Sequence, residues 1–309
     1  MRMKGLVLFS ILIASTIALG QSPRKDILVT PEWLAGHPDV IVLDVASKDV
    51  FAKGHIPGAR LIELQTIVTD RGSALNELPS VPALESVFTE AGVGDKDRIV
   101  VYSRDPLYAA RAWFTLDYLG QGSRTSYLDG GFARWTDEQR PVATEVTTVE
   151  PQAFHASVRA TALTDLKVMQ SLVRFRKDLG SDLAILDARG PEQFCGKERG
   201  AGVERSGHIP GAVNVAWTEN LVAGEIPRFL PERELRELYL AAGVSQRSTN
   251  VVYCRTGMQA ALNYMALKYL GYDVSLYDGS FVEWSSEPDT PVTTIAERTR
   301  TTTAAAGGK

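Results

Sequence analysis

Only two cysteines and four histidines occur in 309 residues, so the chain lacks the side chains for a disulfide framework. Cys195 and Cys254 could form a single bridge at most, and the histidines and cysteines show no paired metal-ligand spacing. A basic excess is missing too. The formal net charge of −4 becomes about −6 without Arg2 and Lys4, which gives no electropositive surface to suggest a nucleic-acid partner. Long apolar runs are confined to the first twenty residues. There Arg2 and Lys4 precede a mostly apolar Leu6 to Leu19, and Ala18-Leu19-Gly20 supplies small residues before Gln21. That is the pattern of a cleavable secretory leader, residues 1–20, short for spanning a bilayer; no other segment is long and apolar enough to cross one. The expected mature chain is periplasmic or secreted and has no membrane attachment.

What the chain does contain is the same pattern twice, at a spacing of roughly 150 residues, too long for a solenoid and right for a duplicated domain. Ile41-Val42-Leu43-Asp44 matches Ala184-Ile185-Leu186-Asp187, and Gly54-His55-Ile56-Pro57-Gly58-Ala59 recurs unchanged as Gly207-His208-Ile209-Pro210-Gly211-Ala212. Ile99-Val100-Val101-Tyr102 matches Asn250-Val251-Val252-Tyr253, Tyr118-Leu119-Gly120 matches Tyr269-Leu270-Gly271, and Asp129-Gly130-Gly131-Phe132 with Trp135 matches Asp278-Gly279-Ser280-Phe281 with Trp284. Short β-branched runs alternate with helical patterns, the signature of an α/β domain with a largely parallel sheet flanked by helices. Leu262, Met265, Ala266 and Tyr269 fall on one apolar helical face that Gly271 terminates. Residues 26–140 and 164–292 are the expected domains and 141–163 the connector. Residues 293–309, rich in Thr, Ala and Gly, form an expected disordered tail.

The two copies differ at one chemically decisive place. Val251-Val252-Tyr253-Cys254-Arg255-Thr256-Gly257-Met258-Gln259-Ala260 reads as a strand that ends on a cysteine, a short polar loop and a helix start. A thiol there faces loop N–H groups and the positive end of a helix dipole, both of which favour thiolate. Ser103 stands at the matching position in the first half, and Pro106 replaces Gly257, removing a backbone donor. A serine with no neighbouring base is a poor nucleophile, so the duplication is expected to keep one live site, at Cys254. A cysteine phosphatase would need an arginine six residues after the cysteine to grip phosphate; that residue is Ala260. His55 and His208 recur in both halves, with and without the nucleophile, and are read as structural. So are Asp44 and Asp187, with Asp187 also able to orient the active loop. Trp135, Trp284, Phe132 and Phe281 are read as core.

These blocks, with the Asp187-Ala188-Arg189 turn, resemble the tandem-domain rhodanese family, the thiosulfate and 3-mercaptopyruvate sulfurtransferases, over about residues 26 to 292. The resemblance implies an inactive first domain, an active second domain and a substrate cleft between them. It implies sulfur transfer through a Cys254 persulfide held by N–H groups from Arg255, Thr256, Gly257, Met258, Gln259 and Ala260, with no metal or organic cofactor. It also implies that arginines from the long loop after Asp187, namely Arg189, Arg199 and Arg205, bind an anionic donor, although the position that best matches one such arginine is Gln193. Arg255 favours thiosulfate, since an added cation stabilises a dianion more than a monoanion, while Thr256 lacks the lysine expected for that type. 3-Mercaptopyruvate is the alternative donor, and a periplasmic sulfane-sulfur carrier the alternative role. Expected acceptors are cyanide, a small thiol or a thioredoxin-like protein, and the expected state is a monomer. Cys195 could approach Cys254 as a resolving or protecting thiol.

Overall fold

The computed structural model describes residues 22–295. The expected leader and residues 296–309 lie outside the described residues. The first half contributes β1 (Leu28–Val29), β2 (Ile41–Val45), β3 (Arg60–Ile62), β4 (Thr69–Arg71), β5 (Ala74–Glu77), β6 (Ile99–Tyr102) and β7 (Thr125–Leu128). The second contributes β8 (Leu163–Thr164), β9 (Leu183–Asp187), β10 (Val213–Asn214), β11 (Thr249–Tyr253) and β12 (Ser275–Tyr277). Two five-stranded sheets result, ordered β1-β7-β6-β2-β3 and β8-β12-β11-β9-β10, and every pairing within them is parallel. The order is the same in both halves, as the repeated motifs anticipate. Central strands such as Ile41–Val45 and Leu183–Asp187 are buried at every residue, which is why they read as continuous apolar runs.

Helices flank both sheets. They are α1 (Pro31–Ala35), α2 (Lys48–Ala52), α3 (Val81–Glu90), α4 (Pro106–Tyr118), α5 (Gly131–Asp137), α6 (Leu166–Arg174), α7 (Arg176–Leu179), α8 (Pro191–Phe194), α9 (Glu232–Ala241), α10 (Met258–Tyr269) and α11 (Ser280–Ser286). The equivalent helices α4 and α10 pack against each other across the junction of the halves. Phe114 meets Tyr264 edge-on at 5.0 Å between ring centroids, and the Tyr264 hydroxyl donates to Asp117 at 2.6 Å. Sequence periodicity gives α10 one apolar face; the structure buries Ala260 through Lys268 on all sides, because α4 covers the face that would otherwise meet water. A single apolar core therefore runs from the first sheet through α4 and α10 to the second, and each sheet has a smaller core on its outer face. The antiparallel hairpin β4–β5 belongs to the first half, and β5 packs on α11 of the second.

The repeated Gly-His-Ile-Pro-Gly-Ala turns are built alike. Nδ1 of His55 bonds the Phe51 carbonyl at 2.9 Å, with its ring stacked on Phe51, and His208 does the same with Phe194 at 2.8 Å. Tyr102 and Tyr253 hydroxyls accept the N–H groups of Ile56 and Ile209. Trp135 and Trp284 are buried and donate to the carbonyls of Pro141 and Pro291. Each turn also pairs with chain that follows its domain: His55 bridges Ala143 and His208 bridges Thr293. The expected tail from 293 onward is thus corrected at its start. Thr293 is held because the second turn needs the same edge partner that Ala143 gives the first. The connector is likewise fixed, with Phe154 buried in the shared core.

Asp44 and Asp187 share a place in the fold and differ in environment. Asp187 grips Arg189, whereas Ala46 occupies the arginine's position in the first half and neither carboxylate oxygen of buried Asp44 has a well-formed hydrogen bond. Burial pushes the Asp44 carboxyl up to about 6; the Tyr102 hydroxyl, lying nearby but short of bonding geometry, and then Arg104 and His55 offset this only in part. A raised folded value means the carboxyl favours folding only while protonated. Its contribution is intact below the unfolded value near 4 and is lost as pH rises through about 6. Asp44→Asn is therefore expected to raise the unfolding free energy by about 3 kcal/mol at pH 8 but by only about 1 kcal/mol near pH 4.5. Denaturant titration at the two pH values measures this, and an equal effect at both would contradict it.

Candidate active site

Cys254 follows the last residue of β11, and three residues separate it from the start of α10. Its side chain is 1% exposed. The backbone N–H groups of Ala260, Thr256 and Gln259 face the sulfur and favour its anion. These donors are available because Gly257, the residue before α10, lies at φ +79° and has no side chain to cap the helix, so the first-turn N–H groups point at the sulfur instead. Burial pushes the thiol up; the three N–H groups work against it and Asp187 adds a smaller upward push, with a net rise. This corrects the expectation that the loop alone settles the balance toward thiolate. The N–H groups stabilise the anion once formed, but removal of the sulfur from water is the larger effect.

The first half shows what dismantles such a site. Ser103 donates its hydroxyl to the Val45 carbonyl at 2.7 Å and accepts the Asp105 N–H at 3.1 Å. Asp105 then caps α4 with its carboxylate, accepting the Leu107 N–H at 2.9 Å. Pro106 has no N–H, Leu107 gives its own to the Asp105 carboxylate and Tyr108 to the Asp105 carbonyl, so the first residues of this helix have no donor left for a ligand anion.

Two supports of the Cys254 loop were not singled out by sequence reasoning. Ser280 lies at φ +54°, a left-handed conformation that a residue with a Cβ adopts at a cost of about 1 kcal/mol, and its hydroxyl accepts the Cys254 N–H at 3.3 Å while donating to the Tyr277 carbonyl. The equivalent residue is Gly131, at φ +53°, so the change from glycine to serine in the live half was the available signal. Asn76 of the β4–β5 hairpin donates to the Thr256 hydroxyl at 3.1 Å. Nothing in the sequence links residues 180 positions apart in that way.

The arginines separate into two kinds. Arg189 is buried, forms a bidentate pair with Asp187 and donates to the Gly207 carbonyl, with its guanidinium 3.9 Å over the Phe281 ring. Burial opposes its charge, but Asp187 outweighs that and holds the guanidinium above its usual value. Arg205 donates to the carbonyls of Ser285, Trp284, Glu287 and Thr290 and so closes the end of α11. Arg205 is thus committed to protein carbonyls, whereas Arg189 directs Nε and Nη2 to Asp187 and Gly207 and makes no hydrogen bond to any described residue through Nη1. Arg199 is exposed, with no hydrogen bond or ion pair to any described residue. Arg255 is half-buried and steadied by the Ala201 carbonyl at 2.9 Å. Gln193 donates to Glu198, which adds a negative charge to the same loop. Thr256 and Ala260 are buried and contribute through their backbone, while Met258 and Gln259 are half-buried. His208 bonds the Phe194 carbonyl through Nδ1, and the Asp187 carboxylate accepts the Arg189 N–H. Cys195 ends α8, turns its sulfur to the Glu192 carbonyl and forms no disulfide with Cys254.

The model of the rhodanese-like domain matches residues 30–138 and again 171–287. A thiosulfate sulfurtransferase of Azotobacter vinelandii is 35% identical over 262 residues, which cover 82% of this chain and 91% of that protein. A probable 3-mercaptopyruvate sulfurtransferase of Pseudomonas aeruginosa is 32% identical over 286 residues, covering 86% and 98%. The crystal structure of Escherichia coli SseA, a rhodanese-fold protein, superposes with a TM-score of 0.71 at 26% identity, covering 82% of this chain and 98% of that one.

The raised thiol and the packed loop each give a measurable consequence. Iodoacetamide is expected to alkylate Cys254 at a rate that climbs about tenfold per pH unit between about pH 6 and 8. A plateau inside that range would show that thiolate already prevails. In Gly257→Ala the new Cβ would lie 2.9 Å from Asp278 Oδ1 and 3.1 Å from Arg111 Nη1, at a left-handed φ. Thermal or denaturant unfolding should register a loss of about 1–3 kcal/mol.

Proposed function

The chain belongs to the rhodanese-like family and is a sulfurtransferase, and on that premise we propose that it moves the outer sulfur of thiosulfate to cyanide or a thiol through a persulfide on Cys254. The observation that carries this reading is the sulfur of Cys254 set against three N–H groups at the uncapped start of α10. The thiol first gives its proton to solvent. The thiolate attacks the outer sulfur of thiosulfate, a Cys254 S–S bond forms, the S–S bond of thiosulfate breaks, and sulfite departs with the electron pair. The terminal sulfur carries the negative charge, which the N–H groups of the loop and the cation of Arg255 stabilise. Cyanide attacks that sulfur, thiocyanate leaves and the Cys254 thiolate returns.

Thiosulfate is favoured by Arg255 beside the nucleophile. A second donor, 3-mercaptopyruvate, is favoured by a different observation: with Arg189 neutralised by Asp187, Arg205 committed to the end of α11 and Gln193 beside Glu198, the loop has less free positive charge than a dianion would draw on. The leader-like first twenty residues support a periplasmic or secreted setting, where a small thiol or a thioredoxin-like protein would be the acceptor.

Thiocyanate formation from cyanide and either donor distinguishes these readings, measured on the chain and on Cys254→Ser. Activity with thiosulfate that disappears in the variant is the expected result. A higher kcat/KM for 3-mercaptopyruvate would reassign the donor. No turnover with either would leave the sulfur-carrier role.

A further inference from the structure

The matching turns of the two halves each give a carboxylate to a backbone N–H of the opposite half. The Asp278 carboxylate accepts the Leu78 N–H of the first half at 2.7 Å, and the Asp129 carboxylate, at the matching turn, accepts the Phe229 N–H of the second at 2.8 Å. This pair of bonds fixes the halves to each other symmetrically. One feature breaks the symmetry. Asp129 completes its bonding with Arg134 of its own half, but Asp278 is met at 2.6 Å by Arg111, from α4 of the opposite half. The residue matching Arg111 in the second half is Leu262. Arg228 of the second half acts on Asp129 without forming an ion pair, so the buried pair between halves lies on the side where Cys254 is.

Arg111 is fully buried and its two terminal nitrogens act in different directions. One pairs with Asp278; the other donates to the Asn76 carbonyl at 2.6 Å, and Nε has no partner. Asn76, at φ +59°, passes the restraint on by donating its side chain to Thr256. Gly257 lies directly on the ion pair, so close to Asp278 Oδ1 and Arg111 Nη1 that a Cβ would not fit without displacement. Thr256 and Gly257 are therefore seated on groups organised by Arg111, and the Thr256 N–H is one of the three on the sulfur. A buried ion pair with an unbonded nitrogen is a weak source of stability, and apolar side chains of similar volume often hold a junction as well. Its presence calls for a geometric reason.

We propose that Arg111, in the half without a nucleophile, is a positioning residue for Cys254: through Asp278 and Asn76 it holds the 255–257 loop so that the Thr256 N–H faces the sulfur. The kinetic part of this inference rests on sulfur transfer through Cys254; the seating of the loop does not. The first half is then a part of the active site and more than a wall beside it.

The test compares the full chain with Arg111→Met, Arg111→Lys and Asn76→Gly, the last retaining the left-handed backbone and removing only the side chain that reaches Thr256. In each, the pH profile of Cys254 alkylation by iodoacetamide, kcat and KM for sulfur transfer to cyanide, and the thermal melt are measured. Arg111→Met and Asn76→Gly are expected to slow alkylation at pH 7 by about 3–10-fold, an upward displacement of the profile by up to about one pH unit. They should lower kcat by a similar factor with KM little changed, and Arg111→Lys should recover part of the loss. An unchanged alkylation profile in folded Arg111→Met, whatever its melting temperature, overturns the proposal; should that variant fail to fold, Asn76→Gly decides in the same way. If no donor supports turnover by the unmodified chain while the profiles still move, the sulfur-transfer reading fails and the positioning role stands.

Discussion

Burial of α10 on all sides from Ala260 to Lys268 is the constraint from which the rest of the molecule follows. A helix enclosed by its own sheet and by its counterpart α4 cannot tilt or fray, so its uncapped start presents N–H groups in fixed directions. Cys254, at the end of the central strand β11, is brought to those groups by the strand and not by a flexible loop. The same enclosure takes the sulfur out of water and raises its thiol. The two effects oppose each other: low polarity disfavours the resting anion, but it also strengthens the hydrogen bonds that a persulfide anion receives.

Comparison of the halves separates framework from chemistry. His55 and His208, Tyr102 and Tyr253, and Trp135 and Trp284 make matching bonds in a half with a nucleophile and in one without. Around the nucleophile the halves differ at Cys254 for Ser103, Thr256 for Asp105, Gly257 for Pro106, Ser280 for Gly131, and Arg189 for Ala46. Together they replace a helix end capped by its own Asp105 with one left open to a ligand anion.

Much of this was legible in the chain because duplication supplied an internal control. The parallel order of both sheets follows from alternating strands and helices, and the structural part of His208 follows from its twin. Misreadings came where the relevant partner is distant or unprinted in local pattern. Arg205 has the composition and position of an anion-binding residue, yet the carbonyls of α11 meet it first, and those carbonyls carry no side-chain signature. Arg189 is two residues from Asp187, close enough to pair within the buried turn. Asn76 and Arg111 could not be found from spacing at all, since only the packing of α4 on α10 brings them to Thr256 and Asp278. Thr293 was assigned to a polar tail by composition, although one β-bridge suffices to hold it.

The reciprocal bonds Asp278 to Leu78 and Asp129 to Phe229 also bear on how molecules enter and leave. Swinging the halves apart like a jaw would strand buried carboxylates and divide a common apolar interior, so that motion is strongly resisted. The segment after α8 is built differently. Gly196, Gly200, Gly202 and Gly207 all take left-handed backbone angles, and Gly200 and Gly202 lie against Arg255 and Val282. The two halves thus stay locked as a single vessel, and beside Arg255 its rim is traced by backbone angles that only glycine adopts without cost.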